Sequence, residues 1–278
     1  MTALSLMRLL PPTATGTAET LRVGDLDLTD LSERDMSRVR GSRLSMIFQD
    51  PLAALNPVRT VGFQIAEPLR AHKRLGGRDA RSRAATLLEQ VGIADPSYNL
   101  RRYPHELSGG MRQRVLIAAA LSCDPEVLIA DEPTTALDVT VQAQILRLIR
   151  AETERRGLAV LLVTHDLAVA ATVADYIQVM YGGTTVESGA TRDVLSAPNH
   201  PYTRGLLNSV PSARETVSPM HAIPGSPEGV WAIGKGCRFA PRCAYAIDRC
   251  SAEEPPLVSV DGEHRSRCWV FAPPAGGN

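Results

Sequence analysis

Short apolar runs that stop abruptly at polar side chains recur along this chain, separated by stretches with helical spacing. Leu44-Ser45-Met46-Ile47-Phe48 leads into Gln49-Asp50-Pro51, Val127-Leu128-Ile129-Ala130 into Asp131-Glu132-Pro133, and Leu158 through Thr164 into His165-Asp166. Runs of this length read as strands of a parallel sheet buried on both faces. Polar groups at the C-terminal ends of such strands mark the crevice where open α/β sheets take their ligands. Between them, Arg78 to Val91 places Ala84, Leu87, Leu88 and Val91 on one helical face. Further helices are expected over Thr2 to Leu10, stopped by Pro11-Pro12, over Glu33 to Arg40 behind Asp30 or Ser32, and over Val141 to Arg156 before Gly157. Leu21 to Leu28 reads as a strand, and Ile177 to Tyr181 with Thr184 to Glu187 as a hairpin around Gly182-Gly183. The class is α/β.

Composition narrows the setting. The 278 residues carry 30 basic and 30 acidic side chains, so the strongly basic footprint of a nucleic-acid binder is missing. No apolar run has transmembrane length, and Met1 to Leu10 lacks the basic start and cleavage site of a signal peptide. Five cysteines without a secretion signal point to a reducing compartment, where metal or cluster ligation outranks disulfides. The expectation is a cytosolic protein.

The chemistry concentrates between Leu107 and Asp138. Leu107-Ser108-Gly109-Gly110-Met111-Arg112-Gln113-Arg114 sets a good N-cap and two glycines at a helix start, where free amides and the positive dipole end attract phosphate. One helix later, the strand Val127 to Ala130 delivers the paired carboxylates Asp131 and Glu132. In nucleotide hydrolases the first such acid holds Mg²⁺ and the second orients or deprotonates water. Each piece alone reads as a turn or a solvated loop. Together and in this order they resemble the signature motif and the aspartate–glutamate strand of ATP-binding-cassette (ABC) transporter ATPases, a P-loop NTPase, RecA-like fold.

The resemblance implies roles for particular positions. Gln49 is expected to touch both Mg²⁺ and the attacking water, Asp131 to hold Mg²⁺, Glu132 to act as general base and His165 to reach the γ-phosphate. Ser108, Gly109, Gly110 and Gln113 are expected at a nucleotide held by a partner subunit, and Asp138 at the partner across the dimer, a simple N-cap being its other reading. Residues 51–123 correspond to the helical signature subdomain, inserted into an ATPase core formed by residues 1–50 and 124–198. Phe63 and Ile65 read either as a socket for the membrane subunit or as ordinary core. One family element is missing: G-x-x-x-x-G-K-[ST], which supplies the phosphate-binding amides, lysine and hydroxyl, occurs nowhere in the 278 residues. A chain shortened at its start accounts for this; a degenerate, non-hydrolysing half that lends its signature to a partner, and nucleotide binding by another route, are the alternatives. Weak ATP binding by these residues alone follows as an expectation.

From residue 199 onward proline, glycine and cysteine take over. His200-Pro201-Tyr202-Thr203-Arg204-Gly205-Leu206-Leu207 and Ile223-Pro224-Gly225-Ser226-Pro227 resemble the extension of oligopeptide and dipeptide importer ATPases, a group that also serves nickel uptake. Residues 199–278 therefore form a separate C-terminal extension. Cys237, Cys243, Cys250 and Cys268 cluster there, while Cys123 stands apart as a small core residue. Four thiolates suit a 4Fe–4S cluster, which some members of the group carry, or zinc, although paired C-x-x-C knuckles are lacking. The implied assembly comprises a second, related ATPase subunit, two membrane permease subunits and, indirectly, an extracytoplasmic binding protein. It would sit on the cytoplasmic face of the inner membrane. An ABC ATPase acting on nucleic acid is the third class, disfavoured by the neutral charge and the tail.

Overall fold

Three parallel strands organise the first 165 residues. The computed structural model describes residues 1–135, 137–209, 223–226 and 234–272, so Ala136 and Pro227 of the motifs above lie outside the described residues. By contacts the chain divides into two compact units, Met1–His165 and Asp166–Asn278.

In the first unit, β1 (Arg22–Val23) and β2 (Leu26–Asp27) form a small antiparallel pair, and β3 (Leu44–Ile47), β4 (Val127–Asp131) and β5 (Ala159–Val163) form the parallel sheet in the order β3-β4-β5. Its helices are α1 (Thr2–Leu6), α2 (Glu33–Val39), α3 (Pro51–Ala54), α4 (Val61–His72), α5 (Gly77–Gln90), α6 (Pro96–Asn99), α7 (Gly109–Ala120) and α8 (Val139–Arg156). Helices α3 to α7 all fall between β3 and β4, the helical insertion that the sequence places there. The larger core gathers Ile47, Ile65, Leu87, Leu88, Ile117 and Leu128 with α4, α5, α7 and α8 around the sheet. A second cluster packs Ala3, Met7, Leu28 and Met36 against Met46 and Ile129 on β3 and β4.

Local signals account for most boundaries. Ser32 caps α2 by accepting from Asp35 N, Ser108 caps α7 from Met111 N, and Asp138 caps α8 from Val141 N. Gly157, at φ +63°, ends α8 in the left-handed region. Three expectations need correction. Helix α1 stops at Leu6, before Pro11, because Arg8 turns to φ +53°. The single strand expected over Leu21 to Leu28 is instead a hairpin, reversed at Gly24 with φ +57°. And β5 is not buried: among the described residues it pairs with β4 alone, and Leu161 is exposed. Ile65 is fully buried core, whereas Phe63 is half-buried beneath the Arg59 guanidinium.

In the second unit, β6 (Tyr176–Tyr181) and β7 (Thr184–Ala190) form the expected hairpin, with Gly182 and Gly183 at φ +54° and +76° in the turn. Positive φ at both central residues is what a two-residue turn matched to strand twist requires. The order β6-β7-β9-β8 adds β8 (Val258–Asp261) and β9 (His264–Ser266) from the tail, β9 pairing Ser266 with Glu187 of β7. The hairpin and the extension thus share one sheet, which is why the unit begins ahead of the compositional shift near Asn199. Helices α9 (Leu167–Val173), α10 (Thr191–Ser196), α11 (Pro201–Asn208) and α12 (Asp248–Ala252) complete it. Phe239 packs against Tyr181, 5.2 Å between ring centres, and Tyr202, 5.5 Å, inside a core with Ile177, Val179 and Val194. The second unit therefore has an apolar core to which the hairpin and the tail both contribute. Beneath it the buried Glu187 carboxylate accepts from Asn199 N, at 2.6 Å, and His200 N, at 3.1 Å, and lies 2.8 Å from His264 Nε2.

Candidate functional site

The parallel register brings three strand ends level. Ile47 of β3 lies opposite Ala130 of β4, and Ala130 opposite Leu162 of β5. Gln49 stands two residues beyond Ile47, Glu132 two beyond Ala130, and His165 three beyond Leu162. Side chains from three distant parts of the chain consequently emerge from one edge of the sheet.

They meet on Glu132. Gln49 Nε2 donates to Glu132 Oε2 at 2.9 Å, Thr135 Oγ1 donates to the same oxygen at 2.7 Å, and His165 Nδ1 lies 3.1 Å from Oε1. The Thr135 hydroxyl, then His165, and less strongly Gln49, hold the Glu132 carboxyl below the usual carboxylate range, so it is ionised at neutral pH. Its side chain is 22% exposed, against 76% for His165, so the carboxylate is recessed while the imidazole stands in solvent. Glu132 itself adopts φ +46°, an uncommon conformation for a residue with a side chain. Its amide donates to Val163 O of β5 at 2.9 Å, which anchors the turn to the sheet. Asp131 ends β4 beside it, half-buried.

An ionised, recessed carboxylate can take a proton from water, with an imidazole and an amide beside it to orient what is bound. Asp131 and the Gln49 carbonyl supply hard oxygen donors, the type that Mg²⁺ takes. Among the described residues no group of three or more His, Cys, Asp or Glu is arranged to hold a metal ion, at this strand edge or at the tail cysteines, so the expected cluster or zinc has no support in the arrangement of the thiols.

The remaining expected residues are placed differently. Ser108 caps α7, and Gly109 and Gly110 open it. Gly110 has a packing reason as well as a chemical one: a Cβ there would sit 2.8 Å from Val141 Cγ1 of α8. Gln113, expected at the nucleotide, is only 1% exposed on the inner side of α7, with Nε2 unpartnered. It belongs to the interior rather than to a nucleotide-facing surface. Asp138 caps α8, at 2.9 Å from Val141 N. His105 stacks on Tyr103. Thr135, which no motif reading singled out, carries the shortest bond to Glu132; a hydroxyl three residues after the acid, across Pro133, was the available signal.

In the second unit, Cys237, Cys243, Cys250 and Cys268 line one cavity together with His200 and Trp269. All four are free thiols, and burial pushes Cys237 up to about 11 and raises Cys243. Burial also pushes His200 down to about 4. Its Nδ1 accepts from Tyr202 N, capping α11. Cys123 is fully buried in the first unit, its thiol raised by desolvation, as an inert core residue should be. No helix among the described residues is long and apolar enough to cross a membrane.

A family profile described as ABC transporter matches residues 4–135, and one described as Oligopeptide/dipeptide transporter, C-terminal region, matches residues 186–250. The probable peptide ABC transporter ATP-binding protein y4tR of Sinorhizobium fredii is 49% identical over 97% of this chain and 81% of its own length. The dipeptide transport ATP-binding protein DppD of Escherichia coli is 45% identical over 99% of this chain and 84% of its own. Among solved structures, the dimeric post-hydrolysis state of the ATP-binding cassette MJ0796, bound to ADP and Pi, matches with a TM-score of 0.54 at 29% identity. That match covers 60% of this chain and 71% of the cassette. The chain belongs to the ATP-binding subunits of ABC transporters, in the group that carries the oligopeptide/dipeptide transporter C-terminal region.

Proposed function

We propose that this chain is the ATP-hydrolysing subunit of an importer for dipeptides or oligopeptides, with Glu132 as its general base. The observation that carries the reading is the convergence of Gln49, Thr135 and His165 on Glu132 at the ends of three parallel strands. Glu132 accepts the proton of the attacking water. His165 keeps that water and the γ-phosphate in line, and the Gln49 amide orients the water from the other side. Asp131 and the Gln49 carbonyl would hold Mg²⁺, which when bound neutralises charge on the phosphates.

Two such subunits close head to tail, the partner being a related rather than identical chain. Ser108, Gly109 and Gly110 then present helix-start amides to the nucleotide on the opposite subunit, and Asp138 faces the partner. Closure depends on nucleotide and drives two membrane permease subunits between access states, with an extracytoplasmic binding protein delivering the peptide. The protein works as a peripheral subunit on the cytoplasmic face of the inner membrane. The four tail cysteines have the donor chemistry of an iron–sulfur cluster or of zinc, and hold the loop-rich end of the second unit when ligated. Visible absorbance and metal analysis of anaerobically purified protein distinguish the two, and a colourless, metal-free, folded tail rejects both.

The test of the transport reading is ATP turnover by the assembly reconstituted with its membrane subunits and binding protein. Peptides should stimulate turnover, whereas sugars and nickel should not. Stimulation by nickel or sugar alone would overturn the substrate class.

A further inference from the structure

Of the three groups that touch Glu132, two have other targets in the proposed reaction. Gln49 and His165 arrive from neighbouring strand ends and turn to the water, the metal and the γ-phosphate once nucleotide is bound. Thr135 has no such second task. It is tied to Glu132 twice, its backbone amide donating to the Glu132 carbonyl at 3.2 Å and its hydroxyl to Oε2 at 2.7 Å. Both bonds lie within one four-residue turn that starts at the left-handed Glu132 and passes through the buried Pro133 and Thr134. The hydroxyl is therefore placed by the turn itself, which the Glu132 amide ties to Val163 O of β5.

We infer that Thr135 is a positioning residue of the ATPase site: its hydroxyl fixes Glu132 Oε2 and so leaves Oε1 as the oxygen presented to the attacking water. The inference rests on the base role of Glu132. In the structure His165 Nδ1 lies 3.1 Å from Oε1. When His165 moves to the γ-phosphate, Oε1 becomes free in an orientation already set by the bond to Oε2. Without the hydroxyl the carboxylate rotates about its terminal torsion, which is broad and roughly two-fold, and either oxygen faces the water only part of the time.

Thr135 is exposed, so replacements there leave the core intact. In the complete assembly with its partner and membrane subunits, Thr135→Val keeps the shape and removes the hydroxyl, Thr135→Ser keeps the hydroxyl, and Glu132→Gln is the control. Thr135→Val should lower kcat about tenfold with KM for ATP changed less than about twofold, and Thr135→Ser should restore kcat to within about twofold, the scale of one lost charge-assisted hydrogen bond at a reacting group. Thr135→Ala gives the same readout should the valine variant fold poorly. Wild-type kcat in Thr135→Val, or an effect on KM alone, overturns the inference while an inactive Glu132→Gln leaves the base role standing. An active Glu132→Gln overturns both.

Discussion

Gln49 and Glu132 stand 83 positions apart in the chain, and the Gln49 amide still donates to the Glu132 carboxylate at 2.9 Å. Parallel register produces the meeting: β3 and β4 run side by side from Leu44–Val127 to Ile47–Ala130, and Gln49 and Glu132 each stand two residues beyond that last pair. The whole helical insertion lies between them without disturbing that edge.

Gln49 is exposed, so Gln49→Ala should melt with the wild type while ATP turnover of the assembly falls about tenfold or more, as expected when an orienting contact is lost. Phosphate-release kinetics beside thermal melting check this. Equal turnover would remove Gln49 from the site.

The start of α7 is tightly packed. Gly110→Ala puts a methyl 2.8 Å from Val141 Cγ1, and should destabilise the first unit by about 1–3 kcal/mol. Combining it with Val141→Ala should recover part of that loss, measured by a double-mutant cycle in denaturant. Strict additivity would show that the contact is not what excludes a side chain.

His200 sets a pH dependence in the second unit. Its ordinary value of 6.5 falls to about 4 on burial, so below pH 6.5 the unfolded chain binds a proton that the folded tail refuses. Stability should fall from pH 6.5 down to about pH 4, in total by about 3 kcal/mol for this group. His200→Asn keeps a capping acceptor for Tyr202 N and removes the titration. Denaturant unfolding of metal-free protein at pH 7 and pH 4.5 should show a smaller acid loss in His200→Asn. The buried Glu187 beside the His200 amide is common to both proteins, and parallel losses would assign the acid sensitivity elsewhere.

The strand ends, the Ser108 and Asp138 caps and the Gly182-Gly183 turn were legible in sequence because each follows from local chemistry: an apolar run that stops, a hydroxyl or carboxylate before a helix, two residues that accept positive φ. What stayed hidden depended on pairing. Leu158 to Thr164 is as apolar as Val127 to Ala130, yet one sits at the sheet's edge and the other at its centre, a difference set by strand order. The Leu21 to Leu28 hairpin turns on one glycine inside an otherwise strand-like pattern. The second unit's core has no local signal, because its aromatic members, Tyr181, Tyr202 and Phe239, are scattered over a long stretch of chain and share no periodicity. Gln113 was assigned by its motif, but its place on α7 turns it inward. Thr135 looked like any turn residue until the left-handed Glu132 brought the two side chains together.

As the proposed general base, Glu132 takes the proton from water in ATP hydrolysis. The direct measurement is single-turnover ATP hydrolysis by the assembled transporter carrying Glu132→Gln, which keeps the hydrogen-bonding shape and removes the base. The rate should fall by about a hundredfold or more, with nucleotide binding retained. Hydrolysis at the wild-type rate, with ATP bound as before, would contradict it.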